Sequence, residues 1–478
     1  MPLDIGRVNS PGWWLAKAFS KREDRLDRLD DLNAWHIGEP PTPAAVREAR
    51  EAFREFEAEA TTNWAELIVG SMRERQAVRD VRTSVSGDDP DDVAWKYWLD
   101  NNLDVEFSTF VETFLWAGDA YAMIIDDEDG PLVTHEDPRE CVTFHDPVRQ
   151  SQLRAAAKFY SDPDEDRAYA VIMVAGMYYD NGLARTYTAS MDGEGELSTS
   201  FDPGSWSWDE ESGGVNGKEL KHGLVPVVRL RNRRGMGEFE PHLPHMRRIN
   251  RLTFQLSVIV MYQAYKQRAI ISDVDDPEEE AQGELAEAFN ADSLEDVLTS
   301  DPGSWFMLPS GTKVWESTPT DIQGLLKALH DEQLALAAVA RRPMGMFAPD
   351  NQSASGANFT REGLQFAVED KQARLRRFLV DVFHLVFLTA DDSERAEKSG
   401  INVSFMPAER YTITDKASAT SQVAQKFPLR TILREIWQMT PTQIQQVEAE
   451  ADAEALMLGE FEELQSAGNE PQTPANES

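Results

Sequence analysis

Between Arg229 and Ala390 the sequence alternates charge and helical periodicity in an order that leaves few architectures open. A basic run, Arg229, Arg231, Arg233 and Arg234, leads into a long apolar helical pattern that reaches Arg268. From there to Lys313 no Lys or Arg occurs. Carboxylates crowd the gap instead: Asp273, Asp275, Asp276, Glu278, Glu279, Glu280, Glu284 and Glu287, then Asp292, Glu295, Asp296 and Asp301. A second helical pattern runs from about Asp321 to Arg342, followed by a loop of small residues, Asp350-Asn-Gln-Ser-Ala-Ser-Gly-Ala-Asn358, and a third pattern from about Arg361 to Ala390. Three long helices therefore hold apart an acidic lobe and a loop in which Gly356 and its small neighbours supply mobility.

Composition sets the wider limits. At 478 residues the chain exceeds the usual single core, so two to four structural regions are expected. Hydrophobic content of 41% with twelve Trp marks a folded protein, because disordered chains lack the apolar surface that offsets chain entropy. Lys plus Arg number 47 against 84 Asp plus Glu, a net charge of -37. That charge disfavours tight nonspecific DNA binding, which relies on neutralising phosphates and releasing counterions. The single Cys141 rules out an intrachain disulfide and a Cys-based metal cage, and fits a reducing cytoplasm. The longest apolar stretches, Ala168 to Tyr179 and Leu379 to Ala390, fall short of the roughly 20 residues that cross a bilayer. With Asp4 and Arg7 and no apolar core before Ser10, the N-terminus does not read as a signal peptide, so a soluble intracellular product is expected.

The elements follow from periodicity. Arg22 to Leu32 reads as an exposed helix held by opposite charges three and four apart. Ala44 to Ala60 reads as a second helix, Asn63 to about Val81 as a third, and Val93 to Ala117 as a helical pair broken near Asn101-Asn102. From Ala120 short apolar runs separated by Asp, Gly, Pro and Asn predict a β-rich insert: Tyr121 to Ile125, Cys141 to Phe144, Ala168 to Val174 and Val225 to Leu230. Ser198 to Gly217 reads as an outer loop despite Trp206 and Trp208. Pro241 and Pro244 suit the first turn of the next helix, where a missing amide proton costs little. After Ala390 the pattern predicts a strand from Ile401 to Met406 and helices from about Asp415 to Gln425, Pro428 to Trp437 and Gln443 to Gln465. Residues 466–478 read as a disordered tail. The fold class is mainly α with a β-rich insert, an α+β arrangement.

Catalytic candidates are thin. Gly311-Thr-Lys313 lacks the order and glycine spacing of a phosphate-cradling loop, and Gly235-Met-Gly237 has no third glycine at dinucleotide spacing. Neither a Gly-x-Ser-x-Gly elbow nor a base partner for Cys141 is recognisable. The best metal candidate is His135-Glu136-Asp137 with His145-Asp146, since imidazole plus carboxylate suits several divalent ions. The competing reading makes both stretches turn starts, because Asp precedes Pro in each. His242 and His245 share a turn with Pro244, whereas His330 and His384 read as core histidines. No cofactor is implied.

Several stretches in fixed order carry a resemblance. They are Asn63-Trp64 with Arg73-Glu-Arg75, Trp98-Leu-Asp-Asn-Asn-Leu-Asp104, Ala117-Gly-Asp-Ala-Tyr121, and Thr134-His-Glu-Asp-Pro-Arg139 with His145-Asp-Pro147. Leu224-Val-Pro-Val-Val228, Arg231-Asn-Arg233, Arg248-Ile-Asn-Arg251, Gln267-Arg-Ala269, Ala340-Arg-Arg-Pro343 and Ala354-Ser-Gly-Ala357 follow. Over about residues 30–465 the chain resembles the portal proteins of tailed bacteriophages, of the siphophage type. The resemblance implies a homo-oligomeric ring, usually of twelve copies, at one capsid vertex in the virion, assembled in the host cytoplasm. It implies duplex DNA passing through the ring, and docking by the terminase large subunit and later a head-completion or adaptor protein. Major capsid and scaffolding proteins are the other implied partners, with no membrane and no catalysis.

Carried onto this chain, the resemblance makes residues 1–240 the wing, 241–271 the first stem helix, 272–316 the clip and 317–342 the returning stem helix. Residues 343–360 become the channel loop, 361–414 a long wing helix and short strand, and 415–465 the crown. The implied channel set is Arg341, Arg342, Asp350, Asn351, Gln352, Ser353, Ser355, Gly356 and Asn358. Docking falls on the acidic clip, Asp273 to Glu287. Arg247, Arg248 and Arg251 at one end of the stem and Lys266 and Arg268 at the other are candidate basic bands. They either face the channel or pair with neighbouring acids. Two alternatives stay open: a metal-dependent hydrolase or nuclease using His135 to Asp146, and a capsid-associated adaptor that does not line the channel.

Overall fold

In the computed structural model the described residues are 3–41, 60–87, 89–178, 183–193, 201–264, 268–272, 312–316, 321–343, 345, 354–408 and 411–467. The chain divides into two compact units. The larger holds residues up to Pro41, Thr62–Met246 and Leu334–Ser478; the smaller holds Thr42–Thr61 and Arg247–Gln333.

In the larger unit, α1 (Pro11–Ile37) starts at Ser10, whose Oγ accepts the amide of Trp13, and stops at Gly38 in the left-handed region. α2 (Trp64–Arg73) is capped by Asn63. It ends eight residues before the expected Val81, because Val78–Arg82 is β1, paired antiparallel with a strand more than 300 residues away. α3 (Asp92–Asp100) and α4 (Leu103–Ala117) break where expected, with Asn102 left-handed. The Asn101 side chain fixes this corner: it donates to the carbonyls of Tyr97 and Pro131 and accepts the amide of Val133 at 2.7 Å.

The β-rich insert follows as β2 (Asp119–Asp127), β3 (Gly130–Glu136), β4 (Cys141–His145), β5 (Leu153–Asp162), β6 (Arg167–Val174), β7 (Arg185–Asp192), β8 (Ser207–Trp208), β9 (Lys218–Glu219) and β10 (Val227–Arg231). One antiparallel sheet has the order β10-β2-β3. The other runs β4-β5-β6-β7-β8, with β9 pairing β7. Period-2 alternation sends Ala155, Ala157 and Phe159 of β5 to one face, where Trp14, Leu15, Ala18 and Phe19 of α1 cover them. Ala156 and Met173 face the other way, into a cluster with Tyr121, Met123 and Val227.

Two expectations are corrected here. Ser198 to Gly217 is not simply an outer loop: Trp206 and Trp208 are buried, and Trp206 lies 5.2 Å from the ring of Phe19. Nor is α1 an exposed helix held by local charge pairs. Leu29 and Leu32 are in the core, and Arg28 reaches Glu240 and the carbonyl of Gly235. Long arginine stems bury readily while their heads find distant acceptors, so a charged repeat can pack.

After Pro241 the chain enters α5 (Leu243–Ala264), as the two prolines predict. In the smaller unit, β11 (Arg268–Ser272) pairs antiparallel with β12 (Thr312–Glu316). The stem helix that the resemblance extends to residue 271 thus gives way to a strand, and Arg268 stands opposite Glu316 in register. α6 (Gln323–Val339) leads back to the larger unit.

α7 (Ala354–Thr389) spans 36 residues, about 54 Å at 1.5 Å per residue. Leu364, Val368, Leu375, Phe378, Leu379, Val382, Phe383, Val386 and Phe387 are buried along it, at the three- and four-residue spacing of one helix face. They pack on β2, β3, β10 and β13 (Asn402–Phe405), the partner of β1. α8 (Ile413–Val423) carries a capping box between Thr412 and Asp415; α9 (Leu429–Glu435) and α10 (Pro441–Ala467) follow. The helices and sheets together make an α+β protein, as expected. Among the described residues no helix is long and apolar enough to cross a membrane.

Candidate functional site

The turn after β10, the end of α6 and the middle of α7 meet in the larger unit around two buried cations and a half-buried carboxylate. Asn232 caps the turn, its Oδ1 accepting the amide of Arg233 at 2.8 Å and its Nδ2 donating to the carbonyl of Met236. Lys371 on α7 donates to that same Oδ1 at 2.8 Å and lies 2.9 Å from Glu238. Arg342 is only 3% exposed; it donates to the carbonyls of Ala340 and Ile68 and stands 3.8 Å from Glu238. Burial alone pushes the Glu238 carboxyl up, but Lys371, then Arg342 and Asn232, hold it below its ordinary range. Burial lowers the Arg342 guanidinium despite Glu238, and an arginine stays charged through such a shift. Together these residues tie three separate chain segments to one point.

This geometry corrects part of the channel set. Arg342 is interior and cannot touch a passing phosphate, whereas Arg341 is exposed with its backbone left-handed at φ 54°. Ser355, Gly356 and Asn358 belong to α7, not to a loop, because the helix begins at Ala354. Asp350, Asn351, Gln352 and Ser353 lie outside the described residues, as do Lys266 and the acidic clip from Asp273 to Glu287.

In the smaller unit, Arg248 on α5 pairs with Glu332 on α6 at 3.0 Å, and Arg247 and Arg251 are exposed on the same helix. Arg248 thus follows the acid-pairing alternative within one chain.

The five-residue metal candidate does not converge. Glu136 is buried against Lys158 at 2.8 Å, Asp137 holds Arg139 at 2.7 Å, Asp146 holds Arg154 at 2.6 Å, and His145 contacts the Gln150 carbonyl. His135 packs edge-on against Phe110, and burial lowers its pKa. Each acid has a cation of its own, so none is left to bind an ion. Sequence reasoning misses a different cluster, His36, Glu66 and Glu112, whose ligand atoms lie within 4.8 Å of one another. There Arg73 contacts both carboxylates. Of the two histidines expected in the core, His384 is half-buried and bonds the Ala396 carbonyl, and His330 is exposed, so neither is a core residue.

The family model described as phage portal protein, SPP1 Gp6-like, matches residues 16–456. The chain belongs to that portal protein family. No curated protein matches it. Among solved structures it is similar to one titled "Virion of native gene transfer agent (GTA) particle", at 12% identity and TM-score 0.44, covering 86% of this chain and 99% of that one. A second, "Neck of native GTA particle computed with C12 symmetry", shows 11% identity and TM-score 0.43, covering 82% and 92%.

In this portal-family chain the three-charge cluster and the dispersed acids point the same way. The buried polar residues Asn232, Arg342 and Lys371, with Glu238, secure a chain crossing.

Proposed function

We propose that the chain is one subunit of a portal ring at a capsid vertex of the virion, through which duplex DNA enters and leaves. Its partners are further copies of itself, the terminase large subunit during packaging, and head-completion or adaptor proteins afterwards. Major capsid and scaffolding proteins would surround the ring. The observation that carries this is the family match over residues 16–456.

The layout supports assigning parts. α5 and α6 are the proposed stem, and β11 with β12 brackets residues 273–311, the proposed clip, where the run from Asp273 to Glu287 offers carboxylates to a basic partner. Residues 343–353 are the proposed channel loop, α7 the helix behind it and α8 to α10 the crown. A net charge of -37 per copy suits a conduit, because an acidic wall repels phosphates where a basic one would hold them. DNA then slides along the channel without adhering.

Deleting Asp350 to Ser353 tests the channel. Ring assembly should survive, since no described core residue is removed, while the amount of DNA packaged or retained changes. Packaging identical to wild type would contradict the placement.

A further inference from the structure

The cluster of Glu238, Arg342 and Lys371 lines a cleft of about 480 Å³. Five cationic side chains line it, Arg233, Arg234, Arg341, Arg342 and Lys371, against the carboxylates of Glu238 and Asp370. Both acids are engaged: Glu238 by Lys371 at 2.9 Å, Asp370 by Arg374 at 3.7 Å. Arg233, Arg234 and Arg341 are exposed and make no ion pair among the described residues. In a chain of net charge -37, an uncompensated basic cleft is out of keeping with its surroundings.

A further observation supports a binding role. Arg234 at φ 62° and Arg341 at φ 54° both hold left-handed backbone, a conformation that favours glycine. Strain at two arginines on the same cleft is the pattern expected where guanidinium groups must be presented at fixed positions.

We propose that this cleft is a docking site for carboxylate side chains of a second copy of the chain, and so a contact that closes the ring. The inference rests on the ring reading above. Charge complementarity selects the occupant: each copy carries 84 Asp and Glu, and arginine forks bind carboxylates with two parallel hydrogen bonds.

The test replaces Arg234 and Arg341 with glycine, Arg234→Gly/Arg341→Gly, in the full chain. Glycine relaxes both left-handed residues, so the monomer should melt no lower than wild type. Assembly, followed by sedimentation over a concentration series, should need roughly tenfold more protein or worse. Arg341→Glu should impair it further, by setting like charges together.

Normal assembly of a folded double variant would overturn the proposal. So would stabilisation of wild-type monomer by inorganic phosphate with assembly unaffected by the substitutions, which marks a small-anion site. Weakened duplex DNA binding with intact assembly would overturn it too, in favour of a DNA contact. A wild-type chain that never assembles sinks both this inference and the ring reading, whereas rings from both proteins sink this inference alone.

Discussion

At the scale of single residues, Glu238 carries the most testable consequence. Its carboxyl is held below the ordinary carboxylate range by Lys371, Arg342 and Asn232 against the opposing effect of burial. A depressed acid contributes stability that is fully present above its unfolded value, about pH 4.3, and lost as pH falls through the folded value. Glu238→Gln should therefore cost stability near pH 6 and have much less effect near pH 3. Denaturant midpoints of both proteins across that range check it, and a pH-independent difference would deny the pairing. Little of this was legible in advance. Arg342 reads in sequence as a companion of Arg341 at a loop, yet it points inward, because only the fold brings Glu238 and the Ile68 carbonyl to meet it.

At the scale of elements, the close passage of the segment before α5 against the end of α4 depends on Gly237. A Cβ built there would stand 2.2 Å from the Trp116 carbonyl oxygen, backbone that cannot swing aside. Gly237→Ala should lower stability by about 3 kcal/mol or more, since overpacking against backbone leaves no cheap relaxation. A thermal midpoint within a degree or two of wild type would show that the segment yields.

The periodic elements were readable for a physical reason. α7 repeats its apolar residues every three or four positions, and the Asn101-Asn102 break carries its own turn chemistry. β1 and β5 were not. β1 needs a partner more than 300 residues away, and Ala155-Ala-Ala157 lacks the branched side chains that favour strands. Those alanines make sense only once both faces of β5 are seen to be covered, where small side chains let neighbouring layers close in.

At the scale of the whole molecule, the order of basic run, helix, acidic segment, helix, loop and helix was visible in the sequence, and the short stretches from Asn63-Trp64 to Ala354-Ser-Gly-Ala357 carried the family resemblance. What could not be read was which charges face outward, because that depends on tertiary partners. The structure turns Arg342 inward and leaves Arg233, Arg234 and Arg341 at the surface of a cleft. Subunit number likewise follows from small angles between copies.

Electron microscopy of the purified full-length protein viewed end-on tests the central claim most directly. The account predicts closed rings of many copies around an axial opening that admits a duplex. Monomers at every concentration, or compact oligomers with no central opening, would contradict it.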